Sequence, residues 1–144
     1  PPGPEREGFQ EMQPRCRLLL RGKCRVPQAG NDFDSNNPAT EGNLAEIAEG
    51  DPNDIDLAVK GAGRAHRKVW SKMPGRERGK YLYRIARLIQ EKSRELAILE
   101  TMDGGQTIQE SRDGDLPLVA AHFFYYAGWA ATLTYAFPGR PPRP

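Results

Sequence analysis

The chain has 144 residues and a formal net charge of +2, and 38% of its residues are hydrophobic. This length predicts one domain, and a domain of this size buries about two-thirds of the surface that its unfolded chain exposes. The longest apolar runs, residues 18–20 and 116–121, are far shorter than the roughly 20 residues of a transmembrane helix. We therefore expect no membrane span, and the sequence shows no signal-peptide pattern.

Two cysteines, Cys16 and Cys24, lie eight positions apart. This spacing fits neither a disulfide framework nor a Cys-x-x-Cys motif, so we expect two small structural residues. A reducing compartment, the cytoplasm, is the resulting prediction.

Prolines separate the two ends from the middle of the chain. Residues 1–14 and 138–144 contain eight of the 13 prolines. We predict a disordered segment over residues 1–15, a folded part over residues 16–137 and a proline-rich end over residues 138–144.

Short strands are predicted before residue 50. The four candidates are residues 17–20, 23–26, 33–36 and 44–48, and Arg21-Gly22 offers a tight turn between the first two.

Three helical regions follow. Asp51 suits an N-cap and Pro52 the first helical position. The first helix is predicted to bury Ile55, Ala58, Val59, Ala62 and Ala65. A second region begins at Pro74, breaks near Lys92 and ends at Gly104-Gly105, where glycine suits a left-handed C-cap.

The third helical region spans residues 107–131, with a restart or kink at Pro117. Residues 118–130 are mostly apolar and aromatic, which predicts that they are largely buried. Strands followed by helices, without strand–helix–strand alternation, indicate an α+β fold as the chain stands.

Charge is segregated along the chain. Residues 64–94 carry eleven Lys or Arg and two Glu, while the flanking blocks are acidic. A basic row follows one side of the second helix: Arg76, Lys80, Arg84 and Arg87. One interpretation is a binding face for an anionic partner, and the other is a solvated face paired with acids. The absence of interleaved aromatic residues favours the second, so we expect no nucleic-acid partner.

The residues alone give no catalytic constellation. His66 lies among cations with no group that could use it as a base, and His122 is expected to be a packed, neutral side chain. We therefore assign no catalytic residue.

Five blocks, in this order and spacing, resemble the first part of an aldehyde dehydrogenase: residues 37–40 (NPAT), 44–51 (LAEIAEGD), 56–60 (DLAVK), 99–105 (LETMDGG) and 125–130 (YYAGWA). The resemblance covers about residues 16–137. It implies that the chain is an incomplete part of the α/β Rossmann-like aldehyde dehydrogenase fold.

The resemblance also implies a chemistry. In this family a cysteine thiolate attacks a small aldehyde, hydride passes to NAD or NADP, and a glutamate-activated water releases the carboxylic acid. These groups lie later in the family's sequence, and Cys16 and Cys24 do not match the nucleophile. We expect no catalytic or cofactor-binding residue here, no cofactor bound by this chain alone, and a homo-oligomer when the protein is complete.

Two further sites carry over from the resemblance. Backbone carbonyls at Asn36 and Asp103 match positions that hold a structural monovalent cation in some members. Gly114 and Leu118 match positions at the substrate entrance, where Leu118 forms an apolar wall.

Three hypotheses result: an aldehyde dehydrogenase N-terminal fragment, a non-catalytic helical module that binds through its basic face, or a truncated product that associates with full-length subunits. Under the first and third, Tyr125, Tyr126 and Trp129 are predicted to be partly exposed in the chain as it stands.

Overall fold

Short strands precede helices, as the α+β prediction requires. The computed structural model describes residues 18–136. The strands are β1 (Leu18–Leu20), β2 (Lys23–Arg25), β3 (Asp32–Asn36) and β4 (Asn43–Ala48), paired as β1 with β2 and β3 with β4. The predictions for residues 1–15 and 138–144 lie outside the described residues.

The helices are α1 (Pro52–Lys68), α2 (Gly75–Glu91), α3 (Ser93–Gly104), α4 (Ile108–Glu110) and α5 (Leu116–Ala136). A 3-10 turn over Trp70–Lys72 precedes α2, and a π-helical turn over Ser111–Asp115 connects α4 to α5. The chain divides into two units, one with residues 18–35 and 45–66 and one with residues 36–44 and 67–136.

In the first unit, β1 and β2 form the predicted antiparallel hairpin, with Leu18 opposite Arg25. Arg21 and Gly22 both have positive φ, 55° and 72°. Two such residues are what a two-residue turn between right-twisted strands needs. Cys24 in β2 is disulfide-bonded, which corrects the expectation of two cysteines without a bridge.

Asp51 and Asp54 fix the beginning of α1. Asp51 Oδ1 accepts from the Asp54 amide at 2.8 Å, which confirms the predicted N-cap. The buried Asp54 carboxylate accepts in return from the amides of Asp51 and Gln28, so it ties the β2–β3 loop to the helix start.

The predicted apolar face of α1 is wrong: Ala58 is half-buried, and the other four residues of the face, Ala62 and Ala65 among them, are exposed. Ile55 and Val59 are 60% and 63% exposed, whereas Asp54 is buried. A side chain on Gly61 would lie 2.9 Å from Cγ of Arg21. Because Asp54 and Gly61 face the hairpin side, the helix turns Ile55 and Val59 away from it.

In the second unit, α2 and α5 pack against each other with small residues at the contact. A Cβ on Gly79 would lie 2.7 Å from the carbonyl oxygen of Ala127. Ala86, Ala97, Ala120 and Ala127 are the buried apolar residues in the described part of this unit. Larger rings meet at its margin, where Tyr83 and Phe124 contact edge to face at 4.9 Å.

The helix boundaries near 92 and 105 are as predicted. Lys92 separates α2 from α3, and Gly105 closes α3 with φ 75° while its amide donates to Thr101. The restart at Pro117 also agrees, because α5 begins at Leu116 directly after the π turn.

The prediction that residues 118–130 are largely buried is wrong. Leu118, Tyr125 and Tyr126 are each more than half exposed, and His122 is exposed rather than packed. Among the described residues, α5 packs chiefly against α2, and a Gly- and Ala-lined contact covers little area. By contrast, the predicted exposure of Tyr125, Tyr126 and Trp129 is confirmed.

Within residues 18–136, no helix is long and apolar enough to cross a bilayer.

Candidate functional site

The candidate cation site combines the β3–β4 loop and the end of α3. Asn37, next to Asn36, organises the loop: its amide donates to Gly42 O, its Oδ1 accepts from the Ala39 amide at 2.8 Å, and its carbonyl accepts from the amides of Thr40 and Glu41. Glu41 adopts a positive φ of 57°. The loop is therefore held by its own hydrogen bonds.

Pro38 brings this loop to the end of α3. A Cβ on Gly105 would lie 2.7 Å from Pro38 Cγ, so the two segments touch. Asn36 and Asp103 each lie two residues before one member of this contact, and both are exposed. The structure thus brings together the segments of the two predicted carbonyl ligands, and the ligand role itself stays a prediction.

Side chains do not supply an alternative metal site. In the described part of the chain, no group of three or more His, Cys, Asp or Glu residues is arranged to hold a metal ion. A cation here would depend on backbone carbonyl oxygens.

The candidate substrate entrance lies at the π turn. Gly114 is inside the turn, and Leu118 lies in the first turn of α5 with 55% of its surface exposed. Pro117 explains the irregularity, because it has no N–H to donate and its ring crowds the carbonyl four residues earlier. The Leu116 amide instead donates to Ser111 O, five residues back.

Charged and polar groups surround this turn. Arg112 Nε lies 2.6 Å from Asp113 Oδ1, and this hydrogen bond, more than the Coulomb attraction, raises the pKa of Arg112. The same bond lowers the pKa of Asp113 below its usual value. Gln106 Nε2 donates to Asp115 Oδ2 at 2.6 Å.

The sequence did not indicate two buried hydroxyl groups, one on Ser111, the first residue of the π turn, and one on Thr101 of α3. Ser111 is fully buried, and neither its Oγ nor the buried Oγ1 of Thr101 has a hydrogen-bond partner. Pro117 was the available signal for an irregular turn, but no sequence pattern indicated which residue it would bury.

The basic row on α2 is exposed, and two of its four residues pair within the helix. Lys80 Nζ lies 2.8 Å from Glu77, and Arg87 lies 3.9 Å from Glu91. Both pairs link residues three or four apart, as on a solvated helix surface. The pairing supports the solvated-face interpretation, although the partners come from α2 and not from the flanking acidic blocks.

Comparison with known proteins decides the family. Residues 26–140 match the model of the aldehyde dehydrogenase family. The chain belongs to this family. It is 42% identical over 115 residues to the mitochondrial aldehyde dehydrogenase family 2 member B4 of Arabidopsis thaliana, covering 79% of this chain and 21% of that protein. It is 41% identical to betaine aldehyde dehydrogenase 1 of Oryza sativa subsp. japonica, covering 83% and 24%.

Solved structures agree. The NAD+ complex of the aldehyde dehydrogenase from Bacillus cereus matches with a TM-score of 0.77 and 35% identity, over 90% of this chain and 26% of that chain. A variant of the same enzyme matches with a TM-score of 0.80. The chain therefore spans about a quarter of the length of its aldehyde dehydrogenase relatives.

Proposed function

We propose that the protein carrying this sequence is an NAD(P)-dependent aldehyde dehydrogenase that oxidises a small aldehyde to a carboxylic acid. The match of residues 26–140 to the family model supports this most strongly. The structural similarity to a relative solved with NAD+ supports NAD as a cofactor of the complete protein.

Within that protein, residues 16–137 serve as scaffold for a Rossmann-like cofactor domain and do not carry the chemistry. Cys24 supports this division, because a disulfide-bonded sulfur offers no thiolate to attack an aldehyde. The thiolate, the glutamate and the oxyanion donors belong to later parts of the family's sequence. The 144-residue chain alone is accordingly inactive and binds no cofactor.

The exposed apolar surface of α5 supports the scaffold role. Tyr125, Tyr126 and Trp129 are 58%, 59% and 43% exposed, and Tyr125 contacts the other two rings, so they form a contiguous apolar patch of the kind that marks an interaction surface. Further parts of an aldehyde dehydrogenase subunit would cover them. The same surface would let a short form associate with full-length subunits. A homo-oligomer completes the proposal, on the resemblance, while the bridge at Cys24 removes the cysteine argument for a reducing compartment, the cytoplasm.

The test is aldehyde-dependent reduction of NAD+ and NADP+ by the longest natural protein that carries this sequence. Turnover of at least one aldehyde, lost when the later nucleophilic cysteine is changed to serine, is expected. No turnover with any aldehyde and either cofactor would contradict the proposal. Salt-sensitive binding of nucleic acid by the same protein would favour the basic-face module instead.

A further inference from the structure

One side chain outside the π turn is hydrogen-bonded to the last residue of the turn. Gln106 lies between Gly105, the C-cap of α3, and Thr107, the N-cap of α4. Its Nε2 donates to Oδ2 of Asp115 at 2.6 Å. Asp115 is the last residue of the π turn, so a residue nine positions earlier is tied to the point where α5 begins.

The residues on both sides of Gln106 are hydrogen-bonded to the helices that they end or begin. On one side the Gly105 amide donates to Thr101 O at 3.1 Å. On the other side Thr107 Oγ1 accepts from the Glu110 amide at 3.3 Å. Because both neighbours are anchored in hydrogen-bonded caps, the bond from Gln106 ties Asp115 to the hydrogen-bonded connection between α3 and α4.

Asp115 lies three residues before Leu118, at the point where the π turn meets α5. Residues three apart are neighbours on one side of a helix. Pro117, between them, has no backbone N–H and is tolerated in the first turn of α5, where amides have no acceptor within the helix. The hydrogen bond from Gln106 therefore restrains, from outside the helix, the residue three positions before Leu118.

We propose that Gln106 is a positioning residue of the aldehyde entrance: its bond to Asp115 holds the π turn and thereby directs Leu118 into the entrance. This inference rests on the proposed function, since Leu118 borders an entrance only in an aldehyde dehydrogenase. It implies that aldehydes large enough to reach Leu118 depend on Gln106, while small aldehydes do not.

The test is Gln106→Glu, which keeps the shape of the side chain but places a carboxylate against the Asp115 carboxylate. Gln109→Glu is the matched control, since it adds the same charge at an exposed residue of α4. The first measurement is hydrogen exchange of the Leu116 amide, which donates to Ser111 O across the π turn. Protection should fall about three- to tenfold in Gln106→Glu only. Equal protection of the Leu116 amide in both variants would show that the hydrogen bond between Gln106 and Asp115 does not hold the π turn.

The second measurement uses the complete protein with acetaldehyde and benzaldehyde as substrates. Gln106→Glu should raise the KM for benzaldehyde about three- to tenfold, with kcat and the KM for acetaldehyde unchanged. If the Leu116 amide loses protection but the ratio of the KM values for benzaldehyde and acetaldehyde does not change, Gln106 has only a structural role. This result would overturn the positioning role. A wild-type protein without any aldehyde activity would instead overturn the proposed function, and with it the entrance role, even where the exchange result confirms the tie.

Discussion

At Gly79 the backbones of α2 and α5 approach so closely that no side chain fits between them. The Cβ of any other residue would lie 2.7 Å from the carbonyl oxygen of Ala127, and a backbone atom cannot move aside cheaply. The absence of a Cβ atom at Gly79, and not a contact between large apolar side chains, allows α2 and α5 to pack this closely.

We predict that Gly79→Ala destabilises the second unit by about 1–3 kcal/mol, because α2 must move away from α5. Gly128→Ala is the control: its Cβ would meet nothing within 4 Å, and alanine gains up to about 1 kcal/mol of helix propensity over glycine. Urea unfolding of both variants measures the difference. Equal stability of the two would show that α2 and α5 do not approach in this way.

The cap of α1 gives a prediction about pH. The Asp54 amide is the main group that lowers the pKa of Asp51 from 3.8. A lowered pKa contributes stability at a pH above the unfolded value, and this contribution is lost as the pH falls through the folded value. The free energy of unfolding should therefore decrease below about pH 4.

Asp51→Asn keeps an oxygen that can accept from the Asp54 amide but does not titrate. The decrease attributable to Asp51 should be absent in this variant, as measured by thermal unfolding between pH 3 and pH 6. An identical pH dependence in both proteins would refute this role of Asp51.

Among the elements, the end of α3 joins two parts of the candidate cation site. Gly105 has φ 75°, and its Cβ position lies 2.7 Å from Pro38 Cγ in the β3–β4 loop. Gly105 therefore ends α3 and also contacts the β3–β4 loop. The positions of both segments, one with Asn36 and one with Asp103, depend on this residue.

We predict that Gly105→Ala costs about 1–3 kcal/mol, since it combines a left-handed backbone conformation with a steric clash. Gly104→Ala should cost far less, because its Cβ would meet only the movable carboxylate end of Glu100 at 3.1 Å. Amide exchange in the loop distinguishes them: Gly105→Ala should expose the amide of Glu41, which donates to Asn37 O, and Gly104→Ala should not. Equal exchange in both would contradict the contact.

The sequence predicted most element boundaries because local chemistry sets them. Asp51 caps a helix, Gly105 ends one, and Pro117 marks a restart whatever the rest of the fold is. It did not predict which faces are covered, because burial depends on tertiary partners. Ile55 stands at the apolar spacing of a helix but is exposed. Asp54 is buried, and its carboxylate accepts a hydrogen bond from the Gln28 amide of the β2–β3 loop.

The candidate site was predictable to a smaller extent. Family resemblance alone indicated Asn36, Asp103, Gly114 and Leu118, since none of these residues has a local pattern that indicates binding. The tie from Gln106 to Asp115 links residues nine apart across an irregular turn, and no regular spacing encodes such a contact.

For the whole molecule, the small size of the buried side chains limits the hydrophobic stabilisation of the fold. Apart from Pro27 and Gly79, the buried apolar residues among residues 18–136 are alanines, whereas Tyr125 of α5 contacts both Tyr126 and Trp129 at the surface. We call Tyr125, Tyr126 and Trp129 the aromatic cluster. Alanines bury little area, so the described residues gain little hydrophobic stabilisation from their own contacts.

We predict that the 144-residue chain associates through the aromatic cluster. Sedimentation equilibrium should show oligomers at micromolar concentrations, and Tyr125→Ser should shift the distribution towards monomer. Tyr135→Ser is the control, since it removes an exposed tyrosine outside the cluster. A wild-type monomer with a sharp, cooperative thermal transition would contradict this prediction.

The central claim is that this chain carries the scaffold of an aldehyde dehydrogenase and not its chemistry. Aldehyde-dependent formation of NADH or NADPH by the purified 144-residue chain, across several aldehydes, tests it most directly. We predict no activity above background. Clear turnover would contradict the claim, because the reacting groups would then have to lie within these 144 residues.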